Sequence, residues 1–289
     1  MSRVAAAPFV RATAARRGAV AGLLLLAAAL LAASCGDDAT PIEDRFAVDG
    51  SVLLSIVVDD GDVTVEAGVD GTVIVTGGID PDRYGYERIN GGGIVRLELR
   101  RTRSLFTLLG GGGASLRVVA PSGTLLDVTV SNGTVTITGP LAGGRLETTN
   151  AAVEVTGVDG GLVVSASNGS VRVAEQRGDL TVSLSNGNVV VLDHGDGTVN
   201  LETDNGFIEY AGTIEPGVAN ELVTANGSIV ITLAGSPSLM LDASTSNGVV
   251  TSRYAVLDAE RTATALRGRI AGGEATLRLR AANGSIELR

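Results

Sequence analysis

The chain has 289 residues, 44% of them hydrophobic, with 32 acidic against 22 basic residues and a net charge of −10. All the basic residues are Arg, with no Lys, no Trp and one Cys. An acidic chain with no basic cluster and few aromatics excludes nucleic acid as a partner. A lone cysteine excludes an internal disulfide.

The first 35 residues read as an export signal. Arg3, Arg11, Arg16 and Arg17 form a basic head without an acid, and Gly18 to Ala33 is an apolar or glycine run of 16 residues. That is shorter than the ~20 residues a membrane-spanning helix needs, and small residues follow it, as at a cleavage site. Ala32-Ala33-Ser34-Cys35 resembles a bacterial lipobox, in which the cysteine is acylated and becomes the mature N-terminus. Ala32 stands where the lipobox usually has Leu, with Leu31 one step early, so an ordinary cleaved signal and an uncleaved anchor remain alternatives. The expectation is a signal over residues 1–34, lipidation at Cys35 and attachment to the membrane through it. Gly36, in place of the Asp that favours inner-membrane retention, points to the outer membrane in a host with two. Removing residues 1–34 takes away four Arg and no acids, leaving 18 Arg against 32 acids, or −14.

Residues 35–45 are polar and read as a tether, and 46–289 read as one all-β domain. Phe46 to Gly77 holds strand-like segments, such as Val63-Thr64-Val65 after Asp60-Gly61. Residues 78–119 depart from that pattern, with glycine runs at 91–93 and 110–113, and read as an irregular cap with loops. Neither run is followed by a Lys or a helix, so neither is a phosphate loop.

From residue 132 the chain repeats itself. Asn132, Asn150, Asn168, Asn186, Asn205, Asn226, Asn247 and Asn283 are each followed by Gly, or by Ala at Asn150, at spacings of 18, 18, 18, 19, 21, 21 and 36. Apolar residues alternate on both sides of each asparagine, as in Leu180/Val182/Leu184 before and Val189/Val191 after Asn186. Period-two alternation is that of a strand with one wet face, and a fixed period near 20 residues marks a stacked array. The fold expected is a β-solenoid with rungs of about 18–21 residues, regular over 132–289. The spacing of 36 reads as two rungs' worth, with residues 253–273 as a loop interrupting the stack. Parity along the preceding strand places the asparagines inward, where a ~4.8 Å rung spacing would let their amides form a structural ladder.

Several acids invite a chemical reading. Asp193, His194, Asp196, Glu202 and Asp204 form the richest cluster, and glycoside hydrolysis needs two carboxylates ~5–10 Å apart. Asp193-His194-Gly195-Asp196-Gly197 also reads as an inter-strand turn, and His194 has no second histidine or thiol for zinc. Calcium wants six to eight oxygens at once, and neither Asp59-Asp60-Gly61-Asp62 nor Asp193/Asp196 matches the glycine-aspartate nonapeptide of calcium-binding β-rolls, so both read as solvated turn acids. No catalytic residue, cofactor or metal is therefore expected. Thr134, Thr136 and Thr138 form a threonine row that other rungs do not continue, so no flat ice-binding lattice arises.

Three stretches carry a family resemblance: Leu116-Arg-Val-Val-Ala-Pro121, Leu126-Asp-Val-Thr-Val-Ser-Asn-Gly133, and the Asn-Gly periods ending in Asn283-Gly-Ser-Ile286. The chain resembles the bacterial putative-adhesin domains of unknown function, often found on envelope lipoproteins, over roughly residues 46–289. The resemblance implies a right-handed β-solenoid and supplies no catalytic or ligand residues. The expectation is a non-catalytic envelope lipoprotein, structural or adhesin-like, with an envelope protein or glycan as partner. Alternatives are an envelope-stress sensor or scaffold and a carbohydrate-active enzyme on a β-helix.

Overall fold

The computed structural model describes residues 39–68, 71–102 and 113–289. The expected signal and Cys35 lie outside the described residues. Among the described residues there is no helix, and 22 strands join into one hydrogen-bonded sheet.

From residue 125 to 233 the chain adds one rung per repeat. β7 (Leu125–Thr138) and β8 (Gly144–Thr156) each run unbroken through the asparagine corner. Later rungs break at the corner glycine into pairs: β9 (Leu162–Asn168) with β10 (Val171–Ala174), and β11 (Leu180–Asn186) with β12 (Val189–His194). β13 (Val199–Asn205) with β14 (Ile208–Gly212), and β15 (Ala219–Asn226) with β16 (Ile229–Leu233), continue the series. Successive rungs pair parallel and in register, with Leu180 beside Leu162 and Val199, and Val171 beside Val153 and Val189. A slip of one residue would turn every inward side chain to water, so the alternating pattern fixes this register. The inward columns, among them Leu162, Val164, Val171, Val173, Leu180 and Val182, are almost completely buried. Each such side chain contributes about 1.5–3 kcal/mol.

The N-terminal end departs from expectation. β2 (Leu53–Gly68) lies below β7, with Asp60 beside Asn132 and Val63 beside Val135. Below β2 lie β5 (Ile94–Arg101) and β6 (Ala114–Pro121), parallel to its two halves. The stretch expected to be an irregular cap thus contributes a rung, with Val95, Leu97 and Leu99 buried. It escaped the repeat because it lacks the Asn-Gly marker. β3 (Thr72–Ile79) pairs antiparallel with β6, and β4 (Tyr84–Gly91) antiparallel with β5. β1 (Thr40–Ala47) pairs antiparallel with β3, so the expected tether over 35–45 gives way to a strand from Thr40 on, held by the buried Ile42.

The C-terminal end is interleaved. β17 (Leu239–Asn247) and β18 (Val250–Ser252) form the outermost rung, while β21 (Ala275–Asn283) and β22 (Ile286–Leu288) lie between it and β15/β16. The spacing of 36 is therefore not two successive rungs. The excursion expected to be a loop forms β19 (Leu257–Arg261) and β20 (Ala265–Ile270), which close the end, β20 antiparallel to β17 and β19 antiparallel to β20. A register irregularity and the charges of Asp258, Glu260 and Arg261 mark β19, features that blunt an open edge against pairing with another chain.

Candidate functional site

The asparagine corner is the most regular outward feature. Alternation breaks just before each asparagine, so Ser167 and Asn168, or Ser185 and Asn186, are both exposed. All eight asparagines are exposed, which overturns the inward placement read from strand parity. The parity count assumed a straight strand up to the asparagine, whereas the chain already bends there.

The amides bond up the stack. Asn150, Asn168, Asn186, Asn205 and Asn226 each donate Nδ2–H to the Oδ1 of the preceding asparagine, at 2.9, 2.9, 3.1, 2.9 and 2.9 Å. Asn283 donates to Asn226 and Asn247 donates to Asn283, both at 2.8 Å, following spatial rather than chain order. Asn132 donates to Oδ1 of Asp60 at 2.7 Å, and the second oxygen of Asp60 lies 3.3 Å from Nε of Arg101. Aligned amide dipoles place a positive end at Asp60, where a carboxylate is favoured for the reason it is at a helix N-terminus. Asp60-Gly61 carries the same marker as Asn-Gly, one residue type away.

Inside the corner, buried threonines two residues before the asparagine tie rungs together. Thr203, Thr224 and Thr245 donate their hydroxyls to the carbonyls of Gly187, Gly206 and Gly284 at 3.0, 2.9 and 2.7 Å. The corner glycine is required by close approach as well as by dihedral. At Gly187 (φ +142°) a Cβ would stand 1.7 Å from the carbonyl oxygen of Gly169.

The strand faces beside the ladder are mixed. Thr129, Glu147, Thr149, Ser165, Ser167 and Ser183 line a shallow groove of about 290 Å³ on the sheet that precedes the corner. On the segments that follow the corner, Phe207 and Val249 are exposed beside Ser228 and Ser285.

The acidic cluster does not assemble as the sequence suggested. His194 is 1% exposed while Asp193, in the left-handed region at φ +54°, faces water. His194 belongs to a buried polar column at the second corner, where Leu141, Val158, Gln176 and His194 succeed one another inward. Its Nε2 lies 3.1 Å from the Gly178 carbonyl and its Nδ1 3.2 Å from the Tyr210 hydroxyl, which donates to the Thr213 carbonyl at 2.5 Å. Three contacts share two protons when the imidazole is neutral. Burial pushes the His194 pKa down, opposed by the Gly178 carbonyl and by Asp196 and Asp179. Burial likewise raises that of Tyr210.

The remaining acids serve neighbouring rungs. Asp179 accepts from the amide and hydroxyl of Thr198 at 2.8 and 2.7 Å, which lowers its pKa. Asp62 accepts from both groups of Thr134, and Asp59 from the amide of Arg101 at 2.8 Å. Glu202 and Asp204 are exposed on β13. Among the described residues no three His, Cys, Asp or Glu side chains are grouped to hold a metal ion. Gln176, whose amide nitrogen donates to the carbonyls of Gly160 and Arg177 at 2.8 and 2.7 Å, went unnoticed in the sequence. Its one signal was a polar residue, like His194, that follows the apolar Leu141 and Val158 in that column.

No protein-family description matches the chain, and no curated protein matches it. Similar solved structures include a putative cell adhesion protein from Clostridium sporogenes, 10% identical over 86% of this chain and 99% of that one, with a TM-score of 0.25. A putative adhesin from Bacteroides fragilis is 10% identical over 86% and 97%, with a TM-score of 0.31. Another, from Parabacteroides distasonis, is 8% identical over 87% and 98%, with a TM-score of 0.25.

Proposed function

We propose that the chain is a non-catalytic lipoprotein of the bacterial cell envelope, a structural or adhesin-like module that meets an envelope protein or glycan along its stacked faces. The observation that carries this reading is the use of its chemistry-bearing groups. His194 is buried with both ring nitrogens occupied, and Asp59, Asp60, Asp62 and Asp179 are bound to neighbouring rungs. What faces outward in regular order is amide and hydroxyl, in a ladder and a groove, suited to many weak polar contacts.

We infer a right-handed winding, the hand that about 98% of parallel crossovers take. Acylation at Cys35 would leave four residues before β1 begins at Thr40, a reach of roughly 18 Å at ~3.6 Å per residue. The end closed by β1 and β4 would then sit at the membrane. The ten stacked rungs would extend about 45 Å from it at ~4.8 Å each.

Metabolic labelling with radioactive palmitate and membrane fractionation test the anchor. Wild type should carry label and sediment with membranes, while Cys35→Ala should lose both or persist as precursor. A wild type that stays soluble and unlabelled refutes the anchor. Crosslinking on intact cells and capture of the partner test the binding role. Turnover of envelope polysaccharides by wild type, lost in Asp196→Asn, would overturn the non-catalytic reading.

A further inference from the structure

The ladder creates a chemical hazard and shields most of it. Seven of its asparagines precede a glycine, the dipeptide in which a backbone nitrogen most readily attacks the side-chain amide. In that reaction the glycine nitrogen loses its proton and bonds to Cγ of the asparagine. The Cγ–Nδ2 bond breaks and ammonia leaves, giving a five-membered succinimide. Water opens the ring at either carbonyl to aspartate or isoaspartate. One water is consumed and one ammonia released, with no oxidant or cofactor.

Within the stack both reacting groups are held. Asn168, Asn186, Asn205, Asn226 and Asn283 each donate to one neighbouring side chain and accept from the other. The following N–H is tied to the next rung as well. Gly169, Gly187, Gly206, Gly227 and Gly284 donate to the carbonyls of Asn186, Asn205, Asn226, Asn283 and Asn247 at 3.1, 2.8, 2.9, 2.8 and 2.9 Å. Asn132 and Gly133 lie inside the continuous pairing of β7 with β8. Attack at any of these sites needs the rung to open first.

The outermost rung lacks this protection. Asn247 is exposed and donates to Asn283, but its Oδ1 accepts from no donor among the described residues. Gly248 has left the strand, and its N–H meets no acceptor among them. Ala263 and Thr264 span this corner, their carbonyls taking the amides of Val250 and Thr245 on either side of it, yet the Asn247 side chain stays exposed.

We propose that Asn247 is the modification site of the ladder, where spontaneous deamidation through Gly248 converts the terminal amide to aspartate or isoaspartate. Its amide hydrogen bond to Asn283 would be exchanged for a carboxylate oxygen facing Asn283 Oδ1. Isoaspartate would also lengthen the backbone by one methylene at the corner. Either product loosens β17 and β18, the rung that shuts the stack.

Peptide mapping by mass spectrometry tests this on the intact full-length protein, aged in warm, mildly alkaline buffer with and without denaturant. In the folded protein Asn247 should convert at least about tenfold faster than the other six ladder sites, because opening a held rung costs free energy and each 1.4 kcal/mol is a factor of ten. In denaturant the seven should converge. Equal rates in the folded protein, or a faster inner site, would overturn the proposal. Amide hydrogen exchange gives a second reading that needs no variant. Gly248 should exchange far faster than Gly227 and Gly284, and comparable protection of all three would also overturn it. Asn90-Gly91, in the β4–β5 hairpin outside the ladder, provides an exposed reference pair in the same digest.

Discussion

At the asparagine corner the polar side chains stand outside the stack, and at the opposite corner they stand within it. The outer amides share one geometry over nine rungs, Asp60 included, and water could replace any bond that fails. The inner column changes from Leu141 and Val158 to Gln176 and His194, and there every polar atom has to find protein. Not all do: Oε1 of Gln176 is buried without a partner. Repetition is therefore strictest where the chain approaches itself most closely, and polarity is most consequential where water is absent.

The sharpest way to break the asparagine corner is through its glycine rather than its amide. Gly187→Ala drives a methyl into the Gly169 carbonyl at positive φ, which should cost about 3 kcal/mol or more and lower the urea midpoint accordingly. At the inner corner, Tyr210→Phe leaves His194 Nδ1 and the Thr213 carbonyl short of a partner, for an expected loss of about 1–3 kcal/mol. The next test is pH. The folded His194 pKa lies below its unfolded value, so its contribution is complete above the unfolded value of roughly 6.5 and falls away as pH drops through it. Melting temperature should decline over that window in wild type and less in His194→Gln. An identical decline in both would place the titration elsewhere. Smallest are the ladder effects: Asn186→Ala should cost about 1 kcal/mol, since water can take over its bonds. Ser185→Ala beside it should stay under about 0.5 kcal/mol. A cost for Asn186→Ala as large as that for Tyr210→Phe would mean the two corners do not differ in the way their burial implies.

The same contrast explains what was legible in the sequence. Register, inward columns and the partnership of successive asparagines follow from local alternation plus a fixed period, and Leu180/Val182/Leu184 announces its strand unaided. The outward turn of the asparagines did not follow, because a corner bend suspends the alternation for one residue. The rung formed by β5 and β6 carries the alternation but not the Asn-Gly marker, and so read as irregular. The burial of His194 was hidden because Asp193-His194-Gly195-Asp196 has the composition of an exposed turn. The order of the last two rungs could not be read at all: Asn247 and Asn283 carry the same marker, and either could follow Asn226.

That equivalence bears on how the molecule is made. During synthesis, β17 and β18 become available before β21 and β22, and they offer Asn226 the same partner in the same register. The finished structure places the late pair between them and β15/β16. The first contact that the growing chain can make at this end must therefore be undone, or held off, until residues 275–288 arrive. The N-terminal part can assemble rung upon rung as it emerges. The C-terminal end can close only once residues 275–288 have emerged, and a truncation that removes residues 275–289 would leave a different neighbour in the vacant slot.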